Sequence, residues 1–323
     1  MAEKNIVEAI RDTLDRKMED DESVVVLGED VGVDGGVFRA TDGLIEKYGE
    51  ERVMDTPLDE AGIIGSSIGM AANGLRPVAE IQFSGFIPQA FHQLKQHVAR
   101  MRMRTQGDIN LPMVVRAPYG GGIRALEHHS ESQEAIYART GGIKVVIPSN
   151  PSDAANLLRK AIEDPDPVMF LEPKKMYRSF RDEIMEEDLE LGRANTVMEG
   201  NDVTVVSWGA MARESIEAAE KAEEDGISVE MIDMRGVNPL DDEAVLESVR
   251  KTGRLVVVSE EPRMGSIAGE ISATVAEEAI LSLEAPIKRI TAPDVPYPLF
   301  KLEDYYMPDS EQILQGIQET VEF

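Results

Sequence analysis

The sequence contains no cysteine and only four histidines among its 323 residues. Without a thiol, disulfide bonds, thiolate nucleophiles and cysteine-ligated metals are all excluded. A structural zinc site is not expected either, because so few imidazoles are available. Any imidazole chemistry has only these candidates: His92, His97, His128 and His129.

Long hydrophobic runs are also missing. No run of about 18 apolar residues occurs, so we expect no helix that crosses a membrane. The first residues, 1–5, lack the apolar core of a signal peptide, and we therefore expect a cytoplasmic protein. The length and the hydrophobic fraction of 42% are typical of a chain with about two globular domains.

Basic residues are few: 33 stand against 61 acidic ones, and the net charge is −28. Such a surface repels phosphates, which argues against nucleic-acid binding. Arginine outnumbers lysine by 21 to 12. An acidic, lysine-poor surface suits a salt-rich cytoplasm, where salt screens the self-repulsion, and this favours a halophilic source. The alternative is an acidic mesophilic protein whose surface attracts a basic partner.

Short apolar runs typical of buried strands alternate with segments whose apolar residues recur at helical spacing. The predicted strands cover residues 23–27, 78–82, 113–116, 144–147, 168–172, 204–207, 229–233, 255–259 and 287–290. The predicted helices cover residues 61–72, 89–104, 152–163, 211–224, 241–251, 266–282 and 310–321. This alternation predicts an α/β fold with a largely parallel sheet. Because the pattern loosens between 173 and 202, we predict two domains, residues 1–185 and 195–323.

Carboxylates and aromatic residues lie where the first predicted elements meet loops. Glu29 follows the first predicted strand, and ligands in open α/β sheets gather beyond the carboxyl ends of strands. Taken alone, an acid in this position is more often a helix cap or a solvated loop acid. Glu60 lies at the start of the first predicted helix, where it could cap the helix or hydrogen-bond a ring nitrogen of a ligand. Gln82 and Phe86 come at the end of the next strand and could line a pocket or fill the core.

Two adjacent histidines, His128 and His129, follow a glycine-rich loop at 119–122. Imidazole is the natural acid and base near neutral pH, although an exposed pair could also be a coincidence. The glycines form no phosphate-binding motif, because no Gly-Lys-Ser or Gly-Lys-Thr follows and no G-x-G-x-x-G opens a helix. We expect them to give backbone freedom to a mobile active-site loop.

Two acids, Asp164 and Asp166, alternate with prolines at the end of the predicted helix 152–163. The last carbonyls of a helix carry partial negative charge, so the acids would complete an oxygen-rich site for a hard cation. The alternative is a helix that is ended by proline and flanked by solvated acids.

Taken together, these segments resemble the β subunits of the first component (E1) of the 2-oxo acid dehydrogenase complexes. The matching motifs are GEDVG (28–32), GGVFRAT (35–41), DTPLDEAGIIG (55–65), RPVAEIQFSGF (76–86), HHSES (128–132), KVVIPSNPSDA (144–154), DPDPVMFLEP (165–173 with the preceding Asp), GNDVTVVSWG (200–209) and IDMRGVNPLD (232–241). The resemblance implies a pyrimidine-binding thiamine-diphosphate domain followed by a transketolase C-terminal-type domain.

The resemblance also implies roles for single residues. The residue at the position of Glu60 hydrogen-bonds N1′ of the aminopyrimidine and promotes its imino form. Glu29, Gln82 and Phe86 line the cofactor site, with Phe86 against the pyrimidine ring. His129 matches the histidine that is associated with the 2-oxo acid and with reductive acylation of the lipoyl group.

A monovalent cation, usually potassium, is a further feature of the family. Its ligands match the carbonyl groups of Met113, Ala161 and Ile162 and the side chains of Asp164 and Asp166. The family often has asparagine at the last position, so Asp166 is a departure.

Thiamine enzymes usually hold the diphosphate and its magnesium with a Gly-Asp-Gly motif, which this sequence lacks. The chain should therefore supply half of a site. An α subunit would bring the magnesium half in an α2β2 heterotetramer, and a lipoyl-bearing E2 acyltransferase would accept the acyl group. The small-residue helix 61–72 is a candidate interface.

The expected activity is oxidative decarboxylation of a 2-oxo acid, with pyruvate the first choice, and acyl transfer to lipoamide. A branched-chain 2-oxo acid or acetoin dehydrogenase β subunit would be built in the same way. A split transketolase shares the domain pair and would show no lipoyl-dependent turnover. A structural subunit that organises the α-subunit site is the remaining alternative.

Overall fold

A computed structural model describes residues 3–323, which form two large sheets covered by helices and one two-stranded sheet. The strands in chain order are β1 (Glu3–Lys4), β2 (Val24–Gly28), β3 (Val53–Asp55), β4 (Arg76–Glu80), β5 (Val114–Tyr119), β6 (Lys144–Val146), β7 (Val168–Pro173), β8 (Asp182–Glu183), β9 (Asn195–Met198), β10 (Val203–Ser207), β11 (Val229–Asp233), β12 (Gly236–Asn238), β13 (Leu255–Pro262) and β14 (Lys288–Ala292).

Most of the helices pack on the faces of these sheets. The α-helices are α1 (Ile6–Asp20), α2 (Leu44–Tyr48), α3 (Glu60–Ala72), α4 (Phe91–Gln96), α5 (Met101–Arg104), α6 (Glu134–Ala138), α7 (Pro151–Glu163), α8 (Ala210–Glu224), α9 (Asp242–Thr252), α10 (Ile267–Glu278), α11 (Glu303–Tyr306) and α12 (Ser310–Val321). Short 3₁₀ turns cover Ser84–Ala90, Val98–Arg100, Glu127–His129, Lys174–Met176, Ile280–Ser282 and Phe300–Leu302. Within 3–323, no helix combines the length and the apolar character that crossing a membrane requires.

The two sheets are mainly parallel. The first has the order β12-β6-β7-β5-β4-β2-β3, with only β12 antiparallel to its neighbour. The second has the order β14-β13-β10-β11-β9, with only β9 antiparallel. Because helices cover the faces of parallel sheets, β2, β5, β7 and β10 are buried at every residue, as their continuous apolar runs predict. The α/β fold class is confirmed.

The two halves of the chain are interleaved. Strand β12 lies in the C-terminal half but completes the edge of the first sheet beside β6. Residues 182–188 pack back on the first sheet's helices: β8 pairs with β1, and the amide of Met185 donates to the Ser152 hydroxyl at 2.9 Å. Contacts between the two halves of the chain therefore help to hold the loops of each half in place.

The prediction of one helix over residues 89–104 is wrong. The segment is α4 and α5, with 3₁₀ turns before and between them. Pro88 has no N–H to donate and lies inside the first turn. The amide of Arg100 then donates to the carbonyl of His97, three residues back, at 3.3 Å. The apolar spacing nevertheless identified buried residues, because Leu94 and Val98 both lie in the core.

Candidate active site

Three segments that follow parallel strands meet at the carboxyl-terminal ends of strands β2, β3 and β4 in the first sheet. Strand β2 lies between β3 and β4, and all three run in the same direction. Glu29 follows β2, Glu60 follows β3 after a short turn, and Gln82 follows β4. The amide of Thr56 donates to the carbonyl of Gly28 at 2.9 Å, which ties the turn before Glu60 to the end of β2. The structure therefore brings together the acids and the amide that the sequence placed at strand ends.

Glu60 is the first residue of α3 and only 4% exposed. The helix is capped by Asp59, whose side chain accepts the amide of Gly62 at 2.9 Å, so capping is not the task of Glu60. Within the part of the chain that the structure describes, the Glu60 carboxylate has no hydrogen bond or ion pair. The residue is nearly enclosed and its oxygens hold no protein partner, so the carboxylate is free to bond a ligand nitrogen.

The surroundings of Glu29 are acidic. Partial burial raises the pKa of its carboxyl, and the nearby charges of Asp30 and Glu60 raise it further. Gln82 donates from Nε2 to the Asp30 carboxylate at 3.3 Å. The hydroxyl of Thr56 is buried and lacks a hydrogen-bond partner. The side chains of Glu29, Gln82 and Thr56 can therefore donate hydrogen bonds to a polar heterocycle or accept hydrogen bonds from it.

Aromatic rings form a wall beside the histidines. Phe83 and Phe86 meet the imidazole of His129 edge to face, with ring centroids 4.1 and 5.4 Å apart. The two 3₁₀ turns that carry these rings touch, because a Cβ on Gly85 would lie 2.0 Å from the carbonyl oxygen of His128. Glycine at position 85 is what permits this approach.

The two histidines differ in their environments. The side chain of His128 is 42% exposed and its Nδ1 lies 3.4 Å from the carboxylate of Glu127. His129 is more enclosed: its Nδ1 is buried without a partner, and burial lowers its pKa, with His128 and Lys174 contributing further. A neutral imidazole is therefore the form present at neutral pH.

The glycine-rich loop before the histidines is held rather than free. Gly120 and Gly122 have the positive φ values of 78° and 88° that favour glycine. A Cβ on any of the three glycines would come within 2.7 Å of another side chain: that of Glu260, Tyr297 or Lys175. The absence of a Cβ at these glycines therefore permits close packing of the loop. These contacts do not support the prediction of a mobile loop.

The buried charged groups behind this loop were not singled out from the sequence. The amide of Gly121 donates to Glu260, and that of Ala135 donates to Glu261, at 3.0 and 2.8 Å. Burial raises the pKa of Glu260 and raises that of Glu261 to about 7, while it lowers that of Lys174 to about 8. Two adjacent acids at the end of the apolar strand β13 were the available signal.

The residues expected to hold a cation are engaged with protein groups. The carbonyl of Met113 accepts the amide of Val168 at 3.0 Å, and that of Ile162 accepts Arg76 at 2.7 Å. Ala161 is fully buried one residue earlier in α7.

Both acids of that expected set are paired with basic side chains. Asp164 accepts Lys144, and both oxygens of Asp166 accept Arg102 at 2.6 Å. No group of three or more His, Asp or Glu residues suited to a metal is found within the described range. Lysine and arginine therefore neutralise both acids of the cation site that the sequence predicts.

Comparison with known proteins places both halves in one class. Residues 2–179 match the family model described as transketolase, pyrimidine binding domain, and residues 192–313 match transketolase, C-terminal domain. A solved structure titled split gene transketolase, inactive beta4 tetramer, superposes with a TM-score of 0.81 and covers 99% of both chains at 23% identity. Fold and site thus define a two-domain chain of the transketolase type.

Full-length relatives narrow this class. The chain is 48% identical to a pyruvate dehydrogenase E1 component subunit beta from Staphylococcus epidermidis over all of both chains. It is 47% identical to that of Bacillus subtilis over the same share, and 50% identical to that of Acholeplasma laidlawii over 98% of each. The chain belongs to the family of E1 beta subunits of the 2-oxo acid dehydrogenase complexes.

Proposed function

We propose that this chain is the β subunit of a thiamine-diphosphate-dependent pyruvate dehydrogenase E1, which decarboxylates pyruvate and transfers the acyl group to the lipoamide of E2. The names of the full-length relatives support pyruvate over a branched-chain 2-oxo acid, acetoin or a ketol-transfer substrate. The domain bounds that we propose are residues 1–185 and 195–323.

The observation that carries the proposal is the carboxylate of Glu60, which lies in a residue only 4% exposed and has no partner within the described chain. Its position fits an aminopyrimidine, because a carboxyl in a nearly enclosed site can bond a ring nitrogen strongly. Thiamine diphosphate, when bound, supplies the electron sink that decarboxylation of a 2-oxo acid needs. In this proposal Glu60 is the catalytic acid, holding a proton at the pyrimidine N1′.

Four other residues complete this chain's share of the site. Phe86 would pack on the pyrimidine ring, while Glu29 and Gln82 would line its polar edge. The enclosed, neutral imidazole of His129 would contact the 2-oxo acid and assist acyl transfer to the lipoyl group. Its approach to Phe86, at 5.4 Å between ring centroids, supports a common site.

The remaining half of the site would come from an α subunit in an α2β2 heterotetramer. The sequence has no Gly-Asp-Gly motif, so we assign the magnesium ion and the diphosphate to the α side. Exposed small residues on α3 would suit a close subunit contact: Gly65, Ser66 and Gly69. A soluble lipoyl-bearing E2 acyltransferase would be the second partner.

We also propose a potassium site made by Met113, Ala161, Ile162, Asp164 and Asp166. One oxygen of that set, the carbonyl of Ile162, lies beside the carbonyl of Asp164, because both accept Arg76, at 2.7 and 3.3 Å. Binding of a cation would require Lys144 and Arg102 to turn away from the two carboxylates.

The test compares Glu60→Gln with Asp59→Asn in the chain co-expressed with its candidate α subunit. Thiamine-diphosphate-dependent decarboxylation of pyruvate, measured with an artificial electron acceptor, should fall roughly 100-fold or more in Glu60→Gln. Asp59→Asn keeps a good helix cap and should remain near wild type. Unchanged activity in Glu60→Gln would contradict the proposal and favour a structural subunit.

The same assay distinguishes the substrates. Pyruvate should be turned over faster than 3-methyl-2-oxobutanoate, and acyl transfer should require lipoamide. Preference for the branched acid would assign the chain to a branched-chain complex, and ketol transfer without lipoamide would assign it to the transketolases.

A further inference from the structure

Most of the contacts that hold the loop with His129 come from the C-terminal domain, which is residues 192–313 by the family match. Glu260 at the end of β13 accepts the amide of Gly121 at 3.0 Å. Glu303, the first residue of α11, accepts the amide of Arg124 with both carboxylate oxygens, at 3.0 and 3.2 Å. Two carboxylates from distant parts of the chain thus hold the main chain of one loop.

Further contacts complete the attachment. Tyr297 donates its hydroxyl to Glu303 at 2.8 Å, which fixes the carboxylate that holds the loop. Lys174, from the first domain, donates to the carbonyl of Gly120. At the far end of the loop, the hydroxyl of Ser84 donates to the carbonyl of Glu131 at 2.9 Å. The loop is therefore held at both ends and near its middle.

The two acids are unusual in where they lie. Glu260 is 4% exposed and Glu303 is 3% exposed, and buried carboxylates are retained only where strong hydrogen bonds offset the cost of desolvation. Hydrogen bonds from an amide to a carboxylate are roughly twice as strong as neutral ones. The hydrogen-bond partners of the two carboxylates are backbone amides and, for Glu303, the Tyr297 hydroxyl, while Oε1 of Glu260 is buried without a partner. The charge of Lys174 also acts on both acids.

The fit at these contacts leaves little room for displacement. A Cβ on Gly120 would lie 2.6 Å from the Glu260 carboxylate, and one on Gly121 would lie 2.1 Å from the Tyr297 hydroxyl. On its other side, the turn with His129 rests on Phe83 and on the backbone at Gly85. The imidazole of His129 therefore lies between Phe83 of the first domain and the loop backbone that Glu260 and Glu303 of the second domain hold.

We propose that Glu303 and Glu260 are positioning residues, which set the place of the His129 imidazole by holding the backbone of residues 120–131. The C-terminal domain would then act on catalysis through this loop, without touching the cofactor. The inference rests on the proposed function only in assigning a reaction step to His129. The attachment of the loop itself can be tested without it.

The experiment uses the chain co-expressed with its candidate α subunit and compares four variants. Glu303→Ala removes the acceptor of the Arg124 amide, whereas Glu303→Gln keeps an acceptor oxygen in the same place. Tyr297→Phe removes the hydroxyl that orients Glu303. The matched control is Glu230→Gln, a 5% exposed acid of the same domain that bonds Lys251 and the amide of Gly200 instead of the loop.

The first readout is hydrogen–deuterium exchange of peptides that cover residues 120–131. We expect exchange there to rise about tenfold or more in Glu303→Ala, to rise less in Tyr297→Phe, and to stay near wild type in Glu303→Gln and Glu230→Gln. The second readout is the rate of acyl transfer to a lipoyl substrate. It should fall at least about tenfold in kcat in Glu303→Ala with little change in the KM for pyruvate, and Glu303→Gln should restore it.

Equal exchange in Glu303→Ala and wild type would overturn the proposal, as would an equal rise in Glu230→Gln. If Glu303→Ala does not assemble, Tyr297→Phe decides, and wild-type exchange in that variant then counts against the proposal. Failure of the proposed function is distinguishable: Glu60→Gln would keep its activity while the exchange pattern of the loop still followed Glu303.

Discussion

At the scale of single residues, Glu60 and His129 are each left with unused hydrogen-bonding capacity. The Glu60 carboxylate has no partner within residues 3–323 although it is 4% exposed, and Nδ1 of His129 is buried and unpaired. Native structures rarely leave buried polar atoms unpaired without a functional reason. The motifs in the sequence named both residues, but only the structure shows that Asp59 caps the helix and that His129 is the enclosed member of its pair.

Substitution of two neighbours of His129 should shift the pKa of its imidazole in opposite directions. Burial lowers the pKa of His129 most, the neighbouring His128 lowers it further, and the carboxylate of Glu127 raises it. His128→Gln should therefore raise the pKa of His129 and move the acid limb of the rate of acyl transfer to higher pH. Glu127→Gln should move that limb to lower pH.

The measurement is the pH profile of acyl transfer for both variants and the wild type. Both side chains are at least 42% exposed, so neither change should disturb the fold. Shifts in the same direction, or no shift in either variant, would show that His129 does not determine the acid limb.

At the scale of elements, the sequence identified strands better than turns. Continuous apolar runs such as those of β2 and β7 are buried on both faces, and this pattern is local. Helix α1 was missed although its signal is present: Asn5 and Glu8 form a capping box. The 3₁₀ turns around Pro88 were mistaken for one helix because their apolar spacing is similar to that of an α-helix.

The contact between two 3₁₀ turns leads to a prediction at this scale. A Cβ on Gly85 would lie 2.0 Å from the carbonyl oxygen of His128, so Gly85→Ala must push the two turns apart. We expect a loss of about 1–3 kcal/mol in the free energy of unfolding. Acyl transfer should fall roughly tenfold to a hundredfold, because His129 moves relative to Phe83 and Phe86.

Chemical denaturation and the transfer assay measure these two effects. Gly141→Ala is the matched control, since a Cβ at that glycine meets nothing within 4 Å. Wild-type transfer in Gly85→Ala would show that the contact between the turns does not position the histidine.

At the scale of the whole molecule, the sequence could not predict which distant segments of the chain contact each other. Strand β12 joins the first sheet from the C-terminal half, and Glu303 reaches the loop at Arg124 across 179 residues of chain. Neither contact leaves a local periodic pattern. The order of motifs could name the family, but it could not show which residues of one domain hold the loops of the other.

The net charge of −28 leads to a prediction for the whole chain. Salt screens self-repulsion over a Debye length of about 10 Å at 0.1 M and about 3 Å at 1 M. The thermal unfolding midpoint should therefore rise between low and molar salt, with NaCl and KCl giving similar increases. A further increase that is specific to KCl would support the proposed potassium site, and a midpoint that falls with salt would contradict the halophilic hypothesis.

We propose that this chain contributes one half of a shared thiamine-diphosphate site. The most direct test is pyruvate decarboxylation with an artificial electron acceptor, in high KCl with thiamine diphosphate and magnesium, by the chain alone and by the chain co-expressed with its candidate α subunit. We predict activity only when the two are together. Activity of the chain alone would contradict the account, because the chain would then hold the diphosphate itself.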